Sequence, residues 1–370
     1  MPTGGSEIHL CQKCEYFMVA QIPFTGTGHR RTLAGSFALT TSMKPRVVVV
    51  GSFIQDLAFY VPAFPRLGET VFGDFRPGPG GKGFNQAVAA NRAGVATLFI
   101  GAIGRDAFGA GARKFAQAEG LLTLFVEKKK ESTGSAAICI NADGQNHIIV
   151  SPGANLALQK RDVPLAPLQN AEVVVCQCES DYRTIAHVLR TGRLSGAVTV
   201  LNPAPLRPDF PASLLRHAEV VIPNENEFAA LVRAVPATAA LLRTAAFREA
   251  GEITANTLAG LKPELFQRLC RALGVPIVIV TLGSQGCFVS QPEGYTHIHA
   301  HDVDALDTSG AGDAFVGGFA AGMVRFGRNV IEAAHYANAM AALSVTQPGT
   351  ATSMPTAREI SRFLKKRDHA

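Results

Sequence analysis

The chain has 370 residues, 47% of them hydrophobic and 17% charged, with a formal net charge of +6. That composition excludes global disorder and provides core for one large α/β domain or two smaller ones. The positive balance is not arranged for nucleic acid: Lys128, Lys129 and Lys130 run straight into Glu131, and Arg362, Lys365, Lys366 and Arg367 form a basic C-terminal end with no aromatic platform for bases.

Residues 1–42 are poor in acids, with only Glu7 and Glu15, and lack a basic start followed by an apolar core. They weakly resemble an organelle transit peptide. The expectation is a disordered extension ahead of a natural start at Met43, and a cytoplasmic protein. Cys11 and Cys14 form a C-x-x-C without a second well-placed ligand pair, since His9 and His29 are poorly spaced for zinc. The Cys count is 7, an odd and scattered set unlike a secreted disulfide framework; Cys139, Cys176 and Cys287 lie in apolar runs and read as small core residues. No uninterrupted apolar run reaches the roughly 18 residues that span a bilayer, so no membrane partner is expected.

Val47–Val50 is a β-branched run ending at Gly51, and Asp56 follows it closely. The stretch Gly78-Pro79-Gly80-Gly81-Lys82-Gly83 formally contains G-x-G-x-x-G. It lies too far from the first strand for a dinucleotide fingerprint, and the next strand, Thr97–Ile100, ends without an acid. It is no P-loop either, because Gly83 stands where Ser or Thr is needed. The glycines alone read as a tight turn capping a helix over Asn85–Ala93. Lys82 and Asn85 beside bare backbone N–H groups suit a polyhydroxylated small molecule. A helix is predicted over Phe108–Glu119. Ala136–Ile140 and His147–Val150 flank Asn141-Ala142-Asp143-Gly144, a hairpin signal. Residues 56–76 and 136–150 interrupt the strand–helix alternation and are expected to pair as a small separate sheet, a lid.

Further strands are expected at Glu172–Cys176, Ala197–Leu201, Val220–Ile222 and Pro276–Leu282, each preceded by helix-like sequence. Glu179 follows the first of these as a cap or a ligand. Asn202-Pro203-Ala204-Pro205 reads as a rigid loop. Asn224-Glu225-Asn226-Glu227 is either a capped helix start or an outer-shell Mg²⁺ site. Residues 232–263 are the least patterned and are expected to be a surface insertion. Thr281 to Gly286 is a turn or the phosphate side of a nucleotide pocket. Cys287–Ser290 and His297–His301 look like a second hairpin with His297, His299 and His301 on one exposed face. Alternation of this kind implies a doubly wound, mainly parallel sheet with helices on both faces, and ligands beyond the strands' carboxyl ends.

Asp307-Thr308-Ser309-Gly310-Ala311-Gly312-Asp313 precedes a small-residue stretch, Ala314 to Met323, that reads as a helix. Its opening N–H groups lack intrahelical partners and collect anionic oxygens. A carboxylate repels phosphate, so Asp313 belongs there as a base that takes a proton from an attacking hydroxyl. This heptapeptide suggests phosphoryl transfer to an alcohol.

Together, Gly80-Gly81-Lys82-Gly83-Phe84-Asn85-Gln86-Ala87-Val88-Ala89-Ala90 and Asp307 to Phe315 resemble, in order, the two signatures of the ribokinase-like sugar kinase family, and the similarity runs from about Met43 to the C-terminus. The resemblance implies that fold with its lid, ATP as phosphoryl donor, Mg²⁺ and K⁺, and a homodimer. It implies Asp313 as base, with Gly310, Ala311 and Gly312 as anion hole. Asp56, Gly81, Lys82, Asn85 and Glu179 would bind sugar hydroxyls. Asn224, Thr281, Gly283, Gly286, Gly312 and Asn338 would line the ATP site, with Glu227 near Mg²⁺. Asp307, Ser309, Ser344, Gln347, Gly349 and Ser353 would form the K⁺ loop. Ribose is the expected acceptor, a nucleoside or another sugar the alternative. The family's Gly-Ser-x-Asn-x-Asp reads here with Ile54 in place of Asn, and Phe84 replaces the usual Ala. Both are expected to make the sugar pocket more apolar.

Overall fold

The computed structural model describes residues 44–258 and 260–367, so the expectations for residues 1–42, Cys11 and Cys14 included, lie outside the described residues. In chain order the elements begin with β1 (Val47–Val50), β2 (Ile54–Tyr60), β3 (Asp74–Gly80), α1 (Lys82–Arg92), β4 (Thr97–Gly104), α2 (Ala107–Ala118), β5 (Leu122–Lys128), β6 (Gly134–Ile140) and β7 (Asn146–Ser151). There follow α3 (Leu165–Asn170), β8 (Val173–Cys176), α4 (Tyr182–Leu194), β9 (Val198–Leu201), β10 (Val220–Val221), α5 (Glu225–Ala234), α6 (Pro236–Leu241), α7 (Ala245–Ala250), α8 (Ala255–Leu258) and α9 (Pro263–Ala272). The last are β11 (Ile277–Thr281), β12 (Cys287–Gln291), β13 (Gly294–Ile298), α10 (Ala311–Arg325), α11 (Val330–Ser344) and α12 (Ala357–Arg367).

Nine strands form one sheet in the order β13-β12-β11-β10-β9-β8-β1-β4-β5. It is parallel from β11 to β5, and β12 and β13 add antiparallel at one end. The strand period of two explains the core. Val47 and Val49 pack with α1, α10 and α11 on one face, while Val48 and Val50 pack on the other with α4, α5 and α9. The doubly wound, mainly parallel architecture is therefore present.

β2, β3, β6 and β7 form a separate four-stranded sheet in the order β3-β2-β6-β7. The register sets Phe59 beside Phe75 and Cys139, and Ala137 beside Ile149, so these residues share one face, while Asp56 points from the other. β3 is an edge strand and carries Pro77 and Pro79.

Four expectations are corrected. Residues 232–263 are no surface insertion, because Phe247, Ile253 and Leu258 are buried in the core against α9 and the sheet. Cys139 stands in the small sheet and is only half-buried, unlike Cys176 and Cys287. The second hairpin forms, but β13 ends at Ile298, so His299 and His301 lie beyond it and the three His do not share a strand face. Phe84 does not face a pocket. It is fully buried, its ring 5.1 Å from Phe53 and 5.3 Å from Phe99, because it lies on the sheet-facing side of α1.

The small residues of α10 allow close helix packing. A methyl group on Gly317 would lie 2.4 Å from both Ala89 Cβ and the Gln86 carbonyl oxygen, and one on Gly322 would lie 2.7 Å from Ala333 Cα. α10 is thus wedged between α1 and α11, and this contact brings the first turn of α1 against the first turn of α10.

Candidate active site

Gly310 has a left-handed backbone, φ 78°, and turns the chain into α10. The first intrahelical bond runs from Ala314 N–H to the Gly310 carbonyl at 2.8 Å. The N–H of Ala311 is engaged by the Thr308 carbonyl at 3.3 Å. Gly312 and Asp313 are left with amides that have no helical partner by geometry. A methyl on Gly312 would meet nothing within 4 Å, so this residue faces open space. A cavity of about 150 Å³ lies there, walled by Lys82, Asn224, Glu227, Thr281, Gly312 and Asp313.

Asp313 is buried, and each of its carboxylate oxygens accepts an amide proton at 2.9 Å: Oδ2 from Asn85 Nδ2 and Oδ1 from Gln86 Nε2. Gln86 Nε2 also donates to Asn202 Oδ1 at 3.0 Å, and Gln86 Oε1 accepts from Gln177 Nε2 at 2.6 Å. Asn202 in turn donates to the Ile222 carbonyl at 2.8 Å. This chain of amides fixes the orientation of Asp313. Asn85 Oδ1 is buried beside it with no partner among the described residues, an acceptor open to an incoming hydroxyl.

Gly81 heads α1, and the backbone N–H of Lys82 donates to Glu179 Oε2 at 3.0 Å. The Ser52 hydroxyl donates to the same oxygen. Burial works against the charge on Lys82, yet the carboxylates of Asp313, Glu179 and Glu227 outweigh it and hold the ammonium above its ordinary value. Burial pushes Glu179 upward, against the pull of Lys82 and its hydrogen bonds. Asp56 lies across Gly80, where a methyl would sit 2.2 Å from its carboxylate. Burial pushes the Asp56 carboxyl up to about 7; the Thr350 hydroxyl opposes this, and the charges of Glu179 and Asp313 add to it.

On the far side of the cavity wall, Asn224 caps α5 in a reciprocal box: Glu227 N–H donates to Asn224 Oδ1 at 2.9 Å, and Asn224 N–H donates to Glu227 Oε2 at 3.0 Å. The capped start and the cavity position thus coexist in Glu227. Burial pushes its carboxyl upward, a cost that a nearby cation relieves, so the residue fits a site for a metal–phosphate complex. The turn at Gly283 and Gly286 follows β11; Gly286, φ 90°, passes beneath the Ile298 carbonyl, where a methyl would lie 1.9 Å away. Asn338 is bonded to the His299 carbonyl at 2.7 Å and fixes the chain leaving β13.

Asp307 ties two loops together, accepting from Ser309 N–H at 2.9 Å and from Gly349 N–H at 2.8 Å. Gln347 N–H donates to the Ser344 carbonyl at 3.3 Å. The hydroxyls of Ser344 and Ser353 donate to the carbonyls of Ala341 and Thr350, which leaves their lone pairs available to a monovalent cation. Among the described residues no cluster of three or more His, Cys, Asp or Glu is arranged to hold a metal ion.

The structure therefore brings Asp313, Gly310, Gly312, Asn85, Lys82, Asn224, Glu227 and Thr281 around one cavity or against its wall. Sequence reasoning missed Gln86, Gln177, Asn202 and Ser52. Their signal was faint: a buried glutamine one residue after Asn85, and polar residues at strand ends.

Residues 44–357 match the pfkB family carbohydrate kinase pattern. The chain is 33% identical over 86% of its length to a Salmonella typhi deoxyribokinase, of which it covers 98%, and 33% identical over 86% of its length to a Mus musculus ribokinase, of which it covers 94%. It superposes on the Arabidopsis thaliana ribokinase complexed with ribose and ATP with a TM-score of 0.72 at 30% identity, over 87% of this chain and 99% of that one. With a buried aspartate set against an open helix start, and with this match along nearly the whole described chain, the protein belongs to the pfkB family of carbohydrate kinases.

Proposed function

We propose that this sugar kinase transfers the γ-phosphoryl group of ATP to the primary hydroxyl of ribose. The observation that carries the reading is Asp313: a buried carboxylate, fixed by two amides, beside the unpaired N–H groups of Gly312 and Asp313. Asp313 accepts the proton of the hydroxyl as its oxygen attacks phosphorus. The first turn of α10 holds the charge that spreads over the phosphoryl oxygens, and Lys82 adds its positive charge from the cavity wall. Asp56, Gly81, Asn85, Lys82 and Glu179 orient the sugar, which fixes the hydroxyl in line with the donor. Asn224, Thr281 and the Gly283–Gly286 turn, with Asn338 behind them, shape the nucleotide side.

Mg²⁺ bound with ATP supplies neutralisation of the phosphate charge, and Glu227 is the residue placed to hold it through water. Asp307, Ser309, Ser344, Gln347, Gly349 and Ser353 would hold K⁺, which would support the Gly310 loop. The small sheet serves as a lid that excludes water. Its outward face carries Phe59, Phe75 and Ile149, the last 76% exposed. We assign it to contact with a second copy of the chain, which sedimentation of Ile149→Glu against the parent tests: loss of a dimer is expected.

A second reading is 2-deoxyribose. Ile54, 4% exposed and two residues ahead of Asp56, offers no hydrogen bond where the family pattern has Asn, and a sugar with one hydroxyl fewer loses less there. ADP release with Mg-ATP, across ribose, 2-deoxyribose, fructose, adenosine and inosine and with K⁺ or Na⁺ alone, separates these. K⁺-stimulated turnover fastest on ribose is expected. Fastest turnover on 2-deoxyribose selects the second reading, and turnover confined to a nucleoside overturns both.

A further inference from the structure

Thr350 occupies the junction of three parts of the site. Its hydroxyl contacts Asp56 Oδ2 at 3.3 Å, on β2, and donates to the Pro79 carbonyl at 3.1 Å, on β3. Its neighbour Gly349 is bonded to Asp307. Its Cα lies 3.2 Å from where a methyl on Gly310 would stand, so it backs the residue that opens α10. One residue thus meets the small sheet and the Asp56 carboxylate through its hydroxyl, and backs the turn into α10 through its backbone.

From this we infer that Thr350 is a positioning residue for the sugar, acting through Asp56. The hydroxyl has a single proton and two acceptors. Among the described residues, the Thr350 hydroxyl is the hydrogen-bonding side chain that meets the Asp56 carboxylate. Among the described residues, the charges that act on Asp56, Glu179 after β8 and Asp313 on α10, both repel it. A carboxylate with one long hydrogen bond and two like charges nearby is poorly held in the empty site. The Thr350 contact keeps its oxygens aimed at the site while leaving them free to accept from sugar hydroxyls. The bond to Pro79 holds β3 and β2 in the same frame, so removal of the hydroxyl loosens the sugar side alone. The Cβ contact toward Gly310 does not involve the hydroxyl and survives in valine.

The inference rests on the sugar-kinase reading, and its test separates the two. Calorimetric affinities for ribose, 2-deoxyribose and ADP are measured with full-length parent protein, Thr350→Val and Thr350→Ser, together with KM and kcat. For Thr350→Val the expected result is a loss of about tenfold in affinity, with a rise of about tenfold in KM, for whichever sugar the parent binds. ADP affinity and kcat should stay within about twofold, and Thr350→Ser should lie within about twofold of the parent throughout. Unchanged sugar affinity in Thr350→Val overturns the inference. Equal loss of sugar and ADP affinity does too, because it marks a general structural role. Equal loss in the serine variant also overturns it, because then the methyl and not the hydroxyl matters. A parent that binds ADP but neither sugar overturns the ribose and 2-deoxyribose readings instead.

Discussion

Asp313 grows from α10, a helix enclosed by α1 and α11, and both of its oxygens are taken by amide donors at 2.9 Å. Asp56 grows from β2 in the small sheet, meets one hydroxyl at 3.3 Å, and is pushed up to about 7. The two carboxylates repel one another yet are held in opposite ways. Asp313 is fixed in the scaffold, which would keep the proposed base in its geometry through each turnover. Asp56 is left short of donors, which the hydroxyls of the proposed sugar would supply. On the proposed function, a fixed base and an incomplete binding group would divide the labour between chemistry and recognition.

Removing the fixed side should cost most. Asp313→Asn is expected to lower kcat by roughly 10²–10⁴-fold with ADP affinity little changed, measured by coupled ADP release and calorimetry. Comparable kcat in that variant would break the comparison at its root. Gln86→Leu leaves Asp313 Oδ1 and the Gln177 amide without a partner. It is expected to cost about 10–100-fold in kcat through misplacement of the base, and about 1–3 kcal/mol in stability by denaturant titration.

The under-bonded side should show the opposite pattern, with binding lost and stability gained. A carboxyl whose folded pKa stands above its unfolded one stabilises the fold fully below the unfolded value, near 3.8, and loses that contribution as pH rises through about 7. At pH 8 the Asp56 charge is therefore a cost to the empty protein. Asp56→Asn should raise unliganded stability at pH 8, with a ceiling of ~4 kcal/mol that partial exposure reduces, and should leave stability at pH 4 nearly unchanged. The same variant should lose sugar affinity. Melting curves at the two pH values check the first point and calorimetry the second. Wild-type sugar affinity should rise as pH increases through about 7, because the ionised Asp56 is the better acceptor. The smallest effect is expected for Ile54→Asn, which should improve ribose relative to 2-deoxyribose by roughly 2–10-fold in kcat/KM.

Much of this was legible in residue order. The two Gly-rich segments carried Lys82, Asn85, Gly310 and Asp313 to one place, and the hairpin turn at Asn141–Gly144 announced the small sheet. What stayed hidden depended on contacts between distant segments. Gln86 reaches Asp313 across 227 positions and Gln177 across 91, so no local spacing reveals them. Phe84 precedes Asn85 by one residue, and the helical rotation of 100° per residue sends the two to different surroundings. The segment 232–263 folds as short helices and loops, and its buried Phe247, Ile253 and Leu258 follow no sustained period.

The prolines of β3 bear on how the apolar sheet face behaves in a crowded solution. Pro77 and Pro79 remove two backbone donors from an edge strand that would otherwise invite another chain to add on. Strand addition at the β3 edge is disfavoured at these two positions, which leaves the proposed contact through Phe59, Phe75 and Ile149 to close face to face. Replacing both prolines with residues that restore these donors should raise the tendency of the protein to aggregate, which light scattering against the parent measures.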